Sequence, residues 1–313
     1  MIAIVRPILE GVLFATKGEV VAQVGGHRNV SLAMLARLYR PGDGDCGICF
    51  EYAVHDAINR REPSVLERIE ESMQRYCRVP GCEPASILFG AEKTGAANLI
   101  DTAHGLLTSE SRLLTGAQAQ PIKLKRYINM LAAAFRRPTT RVHLPMSISG
   151  LWKADLFLGN RDTDRWVGTT VKINPSHLEP ARGLRIGIVP SDTGRSDAVR
   201  FDQQRNIVVC PLPYDGAFIE LFYSAWAIVR GFIEADAHLP GAPALPRTPH
   251  RYIARMLEDR RDYGVLDVIA GLGPLAQPEL LVPQQRQGDV IATTGEPNRV
   301  DTIIAPVSRN TQA

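Results

Sequence analysis

The sequence predicts a mixed α/β protein, an α+β fold in which a central mixed β-sheet is flanked by helices. Three observations support this fold class. The N-terminal part is mostly helical to about residue 137, strand-like runs follow Pro138, and a long apolar helix is predicted at 217–235. Helices followed by a hairpin, further strands and another helix are typical of a sheet covered by helices.

The spacing of apolar residues and the capping signals predict the individual elements. Asp45, for example, is a suitable N-cap for a helix that begins near Cys46. The predicted helices are 30–39, one from about 46, 64–75, 123–137, 217–235 and 250–260. The predicted strands are 2–5, 19–24, 151–159, 165–173, 184–189 and 206–210.

Composition divides the chain into three parts. Residues 1–239 are predicted to form the core, with a helical insertion at about 62–137. Residues 240–282 are predicted to be a proline-rich linker followed by C-terminal helices, and 283–313 a polar tail.

The overall composition excludes several classes of protein. With 45% hydrophobic and 22% charged residues, the chain is not collagen-like, not a coiled coil and not wholly disordered. No apolar run is long enough to span a bilayer, and Arg6, Pro7 and Glu10 interrupt the first one. The five cysteines, an odd number, indicate a reducing compartment. We therefore expect a cytoplasmic protein that is not bound to a membrane.

The positive charge is concentrated in one segment, although the net charge is only +3. No acidic residue lies between Ser111 and Asp155. A basic segment of this length suits a polyanion such as DNA, or alternatively a solvated helix face. The candidate nucleic-acid-binding residues are Lys123, Lys125, Arg126, Arg136, Arg137 and Arg141.

The hairpin predicted at 151–173 contains the first candidates for chemistry. If its two strands are joined by the aspartate-rich turn at 160–164, Asp155 and Lys172 can lie close together. An aspartate on a rigid strand is a good ligand for Mg²⁺. A nearby lysine can orient a metal-bound water or offset charge in the transition state of phosphate hydrolysis.

Glu51 is the candidate for a second acid. It lies near the start of the helix that follows a glycine-rich loop, next to Phe50, which is predicted to face the core together with Val54. Glu51 is therefore placed at the margin of the buried face, from which it could reach a site on the sheet.

These residues resemble the motif of the PD-(D/E)xK, or restriction-endonuclease-like, nuclease superfamily. The resemblance rests on a G-x-x-F-E-x-x-V helix, an aspartate on one strand and x-x-K on the next, and it spans roughly Cys46 to Val189. It implies that Asp155 and Glu51 bind the metal and that Lys172 is the catalytic lysine. The sequence departs from the motif in two places: Thr170 stands where an acid is usual, and no proline precedes Asp155.

The resemblance implies a Mg²⁺-dependent DNA endonuclease, with Mn²⁺ as an alternative metal, serving in restriction or phage defence. A homodimer or a defence-system partner protein is compatible with that function. The Thr170 departure leaves an alternative open, a non-catalytic nucleic-acid-binding or assembly subunit on the same fold.

The cysteines supply two further hypotheses. The pairs Cys46-x-x-Cys49 and Cys77-x₄-Cys82 have spacings that a zinc site can use. A cysteine at a helix N-terminus can also be a nucleophile, which makes a cysteine hydrolase using Cys46 or Cys49 another alternative. The segment 90–95 does not meet the phosphate-loop pattern because Glu92 replaces the second glycine.

Overall fold

The computed structural model describes the chain in ten ranges: 1–39, 45–81, 83–89, 96–114, 121–146, 148–181, 183–191, 198–214, 218–238 and 248–276. Within these ranges, one eight-stranded mixed sheet is flanked by ten α-helices and does not close into a barrel. The fold class predicted from the sequence is therefore confirmed.

The helices cover most of the N-terminal and C-terminal parts of the described chain. In chain order they are α1 Ile2–Ala15, α2 Gly18–Gln23, α3 Leu32–Leu38, α4 Asp45–Asn59, α5 Pro63–Glu71, α6 Ala96–Leu106, α7 Leu124–Arg136, α8 Phe218–Glu234, α9 Thr248–Asp259 and α10 Val265–Leu275. None of these helices combines the length and the apolar character needed to cross a bilayer.

The strands form one sheet with the order β1-β4-β5-β6-β8-β7, and β2 and β3 extend it beside the first half of β5. Their bounds are β1 Pro84–Leu88, β2 Arg112–Leu114, β3 Ile122–Lys123, β4 Leu156–Asn160, β5 Arg165–Val171, β6 Arg185–Pro190, β7 Arg200–Asp202 and β8 Ile207–Leu212. The hairpin β4–β5 is antiparallel, whereas β5–β6 and β6–β8 are parallel.

The two faces of the sheet pack into different cores because side chains alternate along each strand. On β5, Val167 and Val171 belong to the larger core, which also contains residues of α1, α4 and α8. Trp166 belongs to a second core, which is covered by α6 and α7. Thr170 alternates with Val171 and therefore lies on the face of α7.

The larger core also includes the C-terminal helices. Leu257 of α9 and Leu272 of α10 are fully buried in it, so the helices predicted to follow a linker pack on the main fold. Most of the predicted proline-rich linker and the whole tail 283–313 lie outside the described residues.

The structure corrects the sequence-based prediction at three places. Leu151–Lys153, predicted as the start of a strand, forms a short 3-10 helix, and β4 begins at Leu156. Residues 2–5 lie in α1 and 19–23 lie in α2, so the two N-terminal strands predicted at 2–5 and 19–24 are wrong. A short apolar run does not distinguish a buried helix from a buried strand. The segment 62–137, predicted as a helical insertion, contributes β1, β2 and β3 to the sheet in addition to its helices.

Candidate active site

Asp155 lies immediately before β4 and is held by its backbone between two strands. Its N–H donates to the carbonyl of Thr169 at 2.8 Å, and its carbonyl accepts from the N–H of Phe89 at 2.8 Å. The first of these partners belongs to β5 and the second follows β1. These bonds fix the position of the Asp155 side chain at the edge of the sheet.

Lys172 follows β5 directly and lies at the same edge. The antiparallel register pairs Leu156, at the start of β4, with Thr169, near the end of β5. Asp155 and Lys172 are therefore brought together across the hairpin, as the sequence predicts. The Nζ atom of Lys172 lies 2.8 Å from Oδ2 of Asp155.

One oxygen of the Asp155 carboxylate accepts all the hydrogen bonds that the described residues give to that side chain. Oδ2 accepts from Thr170 Oγ1 at 2.9 Å and from the Val171 N–H at 2.8 Å, besides Lys172. Among the described residues, Oδ1 has no hydrogen-bond partner. The carboxylate is thus held rigidly by one oxygen, and the other is available to a ligand.

Glu51 reaches the site from α4. This helix packs on the sheet through its apolar face, where the Phe50 ring contacts Phe222 of α8 with centroids 5.0 Å apart. Glu51 lies at the margin of that face, and its Oε1 lies 3.6 Å from the Nζ atom of Lys172. The structure therefore brings together all three residues that the sequence singles out, Glu51, Asp155 and Lys172.

The site is partly buried, and its charges are coupled. The side chains of Glu51, Asp155 and Lys172 are 18%, 16% and 31% exposed. Burial alone would lower the pKa of Lys172, but the carboxylates of Asp155 and Glu51 outweigh burial and raise it. Lys172 therefore stays protonated at neutral pH in this arrangement, and it is a source of positive charge rather than a proton acceptor.

The donor set fits a hard divalent cation that keeps part of its water shell. Among the described residues no group of three or more His, Cys, Asp or Glu side chains is arranged to hold a metal ion. The site offers two carboxylates, one with a free oxygen, and Mg²⁺ is commonly bound by one or two carboxylates together with waters and substrate phosphates. Thr170 donates to Asp155 Oδ2 and helps to orient that carboxylate.

Sequence reasoning missed a second group of charges beside this site. Arg185, at the start of β6, is only 5% exposed and donates from Nη2 to the carbonyl of Gly150 at 2.8 Å. Lys153 pairs with Glu179 at 2.8 Å. The available signal was a single charged residue, Arg185, inside the otherwise apolar run predicted as a strand at 184–189.

The predicted nucleic-acid-binding residues begin at Lys123, the last residue of β3, and continue along and after α7, the helix that covers the face of the sheet on which Thr170 lies. Lys123 pairs with Glu110 at 2.8 Å, and Lys125 and Arg141 donate to the backbone carbonyls of Leu107 and Ala134. The remaining three are exposed: Arg126, Arg136 and Arg137. Part of the charge is therefore available to a polyanion, and part is neutralised within the chain.

The thiols do not have the properties of a nucleophile. Burial raises the pKa of Cys46 to about 11 and that of Cys77 to about 12, whereas a nucleophilic cysteine needs a lowered pKa. Cys49 is fully buried, and its Sγ donates to the carbonyl of Ile8 at 3.5 Å. These observations argue against the cysteine-hydrolase alternative. Cys82, the fourth residue of the zinc hypothesis, and the segment 90–95 lie outside the described residues.

Comparison of the chain with known protein families, curated proteins and solved structures found no match.

Proposed function

We propose that this protein is a metal-dependent endonuclease that hydrolyses the phosphodiester bonds of DNA. The observation that supports the proposal is the convergence of Glu51 and Asp155 on the ammonium group of Lys172, at one edge of a mixed sheet. These residues come from a helix and from two adjacent ends of a hairpin. Their order and residue types in the sequence predict the same grouping.

Asp155 and Glu51 are the residues that would hold Mg²⁺, with Mn²⁺ as a substitute. The metal would supply polarisation of the phosphate and a more acidic water. Thr170 and the Val171 N–H fix Oδ2 of Asp155, so the free Oδ1 is held in a constant position. Lys172, protonated at neutral pH, would stabilise negative charge that develops on the phosphate oxygens.

The exposed arginines on and after α7 would bind the DNA backbone. Arg126, Arg136 and Arg137 are exposed on the side of the sheet that Thr170 faces. Contacts of this kind attract phosphates without regard to sequence and weaken as salt increases. We further propose a cytoplasmic location, since the five cysteines, an odd number, suit a reducing compartment better than a set of disulfides. A role in restriction or phage defence is part of the same proposal.

Cleavage of supercoiled plasmid in the presence of Mg²⁺ tests the proposal. Asp155→Asn and Lys172→Met should each reduce the cleavage rate by about 100-fold or more, because each removes charge from the reacting centre. The matched control is Asp262→Asn, which changes a carboxylate whose side chain is 83% exposed, and it should cut at the wild-type rate. If both site variants cut as fast as the control, the assignment of the site is wrong.

A second candidate function is non-catalytic binding of nucleic acid, and Thr170 favours it. The site has two acids and one lysine, so it carries less negative charge for a metal than a site with a third acid. Under this alternative, the wild-type protein binds DNA in a salt-dependent manner but does not cut with Mg²⁺ or Mn²⁺. The plasmid assay distinguishes the two functions.

A further inference from the structure

Arg185 is a buried cation whose hydrogen-bonding capacity is only partly used. It stands opposite Gly168 of β5 at the start of β6, and it is 5% exposed. Its Nη2 donates to the carbonyl of Gly150, while its Nε is buried and has no hydrogen-bond partner among the described residues. A buried donor without a partner costs free energy, and in a native site it is commonly completed by a ligand, an ion or a water.

The charges around Arg185 show which kind of ligand this position takes. Burial lowers the pKa of Arg185, and the carboxylates of Asp155 and Glu179 act in the opposite direction. The guanidinium therefore lies within electrostatic reach of both the proposed catalytic site and an exposed glutamate. A guanidinium offers several donors in a planar fork, which matches the oxygens of a phosphate.

Glu179 pairs with Lys153, and the segment that carries it packs on β6. The preceding residue, Leu178, is 3% exposed and packs closely over Gly187 of β6. The Glu179 carboxylate accepts from Nζ of Lys153 at 2.8 Å. This hydrogen bond and the charge of Lys153 lower the pKa of Glu179, and Arg185 and Lys172 contribute in the same direction. One carboxylate thus lies in the combined field of Lys153, Lys172 and Arg185.

We propose that Lys153, Lys172 and Arg185 form a phosphate-binding subsite for the DNA backbone, and that Glu179 occupies it in the free protein. The inference rests on the proposed function and assigns the position of one phosphate in it. Because Lys172 also contacts Asp155, the bound phosphate lies next to the one that is hydrolysed. DNA binding then displaces Glu179 from Lys153, and the guanidinium of Arg185 gains acceptors from the phosphate oxygens.

The test is equilibrium binding of a short DNA duplex, measured by fluorescence anisotropy in EDTA so that no cleavage occurs. Glu179→Gln should bind about 3- to 10-fold more tightly than the wild type and steepen the salt dependence by about one phosphate contact. The matched control is Glu234→Gln. Glu234 is also about half exposed, and its Oε1 lies 2.8 Å from Nε of Arg230. It lies on α8, however, which packs into the larger core. This control should leave the affinity within about 2-fold of wild type.

Two further variants test whether the gain comes from the subsite. Lys153→Gln, at an exposed position, should weaken binding, and Glu179→Gln should no longer increase affinity when combined with it. Arg185→Lys keeps the charge but loses the planar fork, and should weaken binding by about 3-fold or more. If Arg185→Lys does not fold, the affinities of Lys153→Gln and of the Lys153→Gln/Glu179→Gln double variant are sufficient to test the subsite.

The possible failures are distinguishable. If the wild type binds DNA but Glu179→Gln binds no better than Glu234→Gln, the subsite does not exist and the proposed function stands. The same conclusion follows if Glu179→Gln still increases the affinity in the Lys153→Gln background, since the increase then reflects net charge alone.

A second comparison removes the charge of Glu110, the partner of Lys123 on the basic segment. A gain with Glu110→Gln but none with Glu179→Gln places binding on α7 and overturns the subsite. If no variant binds DNA, the subsite and the proposed function both fail.

Discussion

Replacement of Lys172 by methionine should lower the free energy of unfolding, by an amount set by the ion pairs of Lys172 with Asp155 and Glu51. Methionine has a similar length but no charge, so Asp155 and Glu51 lose their common partner. The Nζ atom lies 2.8 and 3.6 Å from their oxygens. At an effective dielectric constant of about 20, these distances correspond to attractions of about 6 and 5 kcal/mol before desolvation is subtracted.

Most of this attraction is offset by the cost of removing the three groups from water. Breaking a fully buried pair costs about 3–5 kcal/mol, whereas exposed pairs contribute about 0.2–1 kcal/mol. The Lys172 side chain is 31% exposed, which places it between these limits. We therefore expect Lys172→Met to reduce the free energy of unfolding by about 1–3 kcal/mol at neutral pH.

The pH dependence of this difference has a defined sign. The folded-state pKa of Lys172 lies above its ordinary value of 10.5, so its stabilising effect is complete below that value and is lost as the pH rises through the folded-state pKa. The difference between wild type and Lys172→Met should therefore be constant from neutral pH to about 10 and should narrow above it.

Urea denaturation of the two proteins measures the difference, with the m-value as a check that the same surface is exposed on unfolding. Lys153→Met is the matched control, because Lys153 is also 2.8 Å from a carboxylate but its pair is 48% and 64% exposed. The control should cost less than about 1 kcal/mol. Equal and small effects for both variants would mean that Glu51, Asp155 and Lys172 do not act as a coupled group.

Two other perturbations have predictable outcomes. Burial lowers the pKa of His55 to about 4. The free energy of unfolding should therefore fall by about 3 kcal/mol as the pH falls from 6.5 to about 4. Urea titrations of His55→Gln should lack this part of the acid sensitivity. Thr170→Asp places a third carboxylate beside Asp155, at a position that is 3% exposed. It should lower the melting temperature in EDTA and raise the stabilisation produced by Mg²⁺; an unchanged response to Mg²⁺ would argue against a cation at this site.

The hairpin and the longer helices could be predicted from the sequence because their signals are local. The apolar runs on either side of the 160–164 turn predict β4 and β5, although the first run is predicted to begin at 151 and β4 begins at Leu156. An antiparallel pair places Asp155 and Lys172 at one edge. The helical phase set by Phe50 and Val54 predicts that Glu51 lies at the margin of the buried face. These three placements depend on periodicity rather than on distant contacts.

Other parts of the fold depend on contacts that the sequence does not display. β2 and β3 contain three and two residues, which is too short for alternation to be recognised. α1 is apolar enough to resemble a strand over 2–5, and it is a helix because it packs against α4 and α8 in the larger core. The proposed phosphate-binding subsite was not predicted because Lys153, Lys172 and Arg185 belong to different segments of the fold, and their spacing along the chain gives no signal.

The most direct test of the central claim is whether Glu51 and Asp155 act as one unit in DNA cleavage. Plasmid cleavage with Mg²⁺ is measured for Glu51→Gln, Asp155→Asn and the double variant. Residues that act as a unit give losses that do not add, so the double variant should be no slower than the slower single variant, within about 3-fold. Cleavage by Glu51→Gln at the wild-type rate, or losses that multiply in the double variant, would contradict a single shared site.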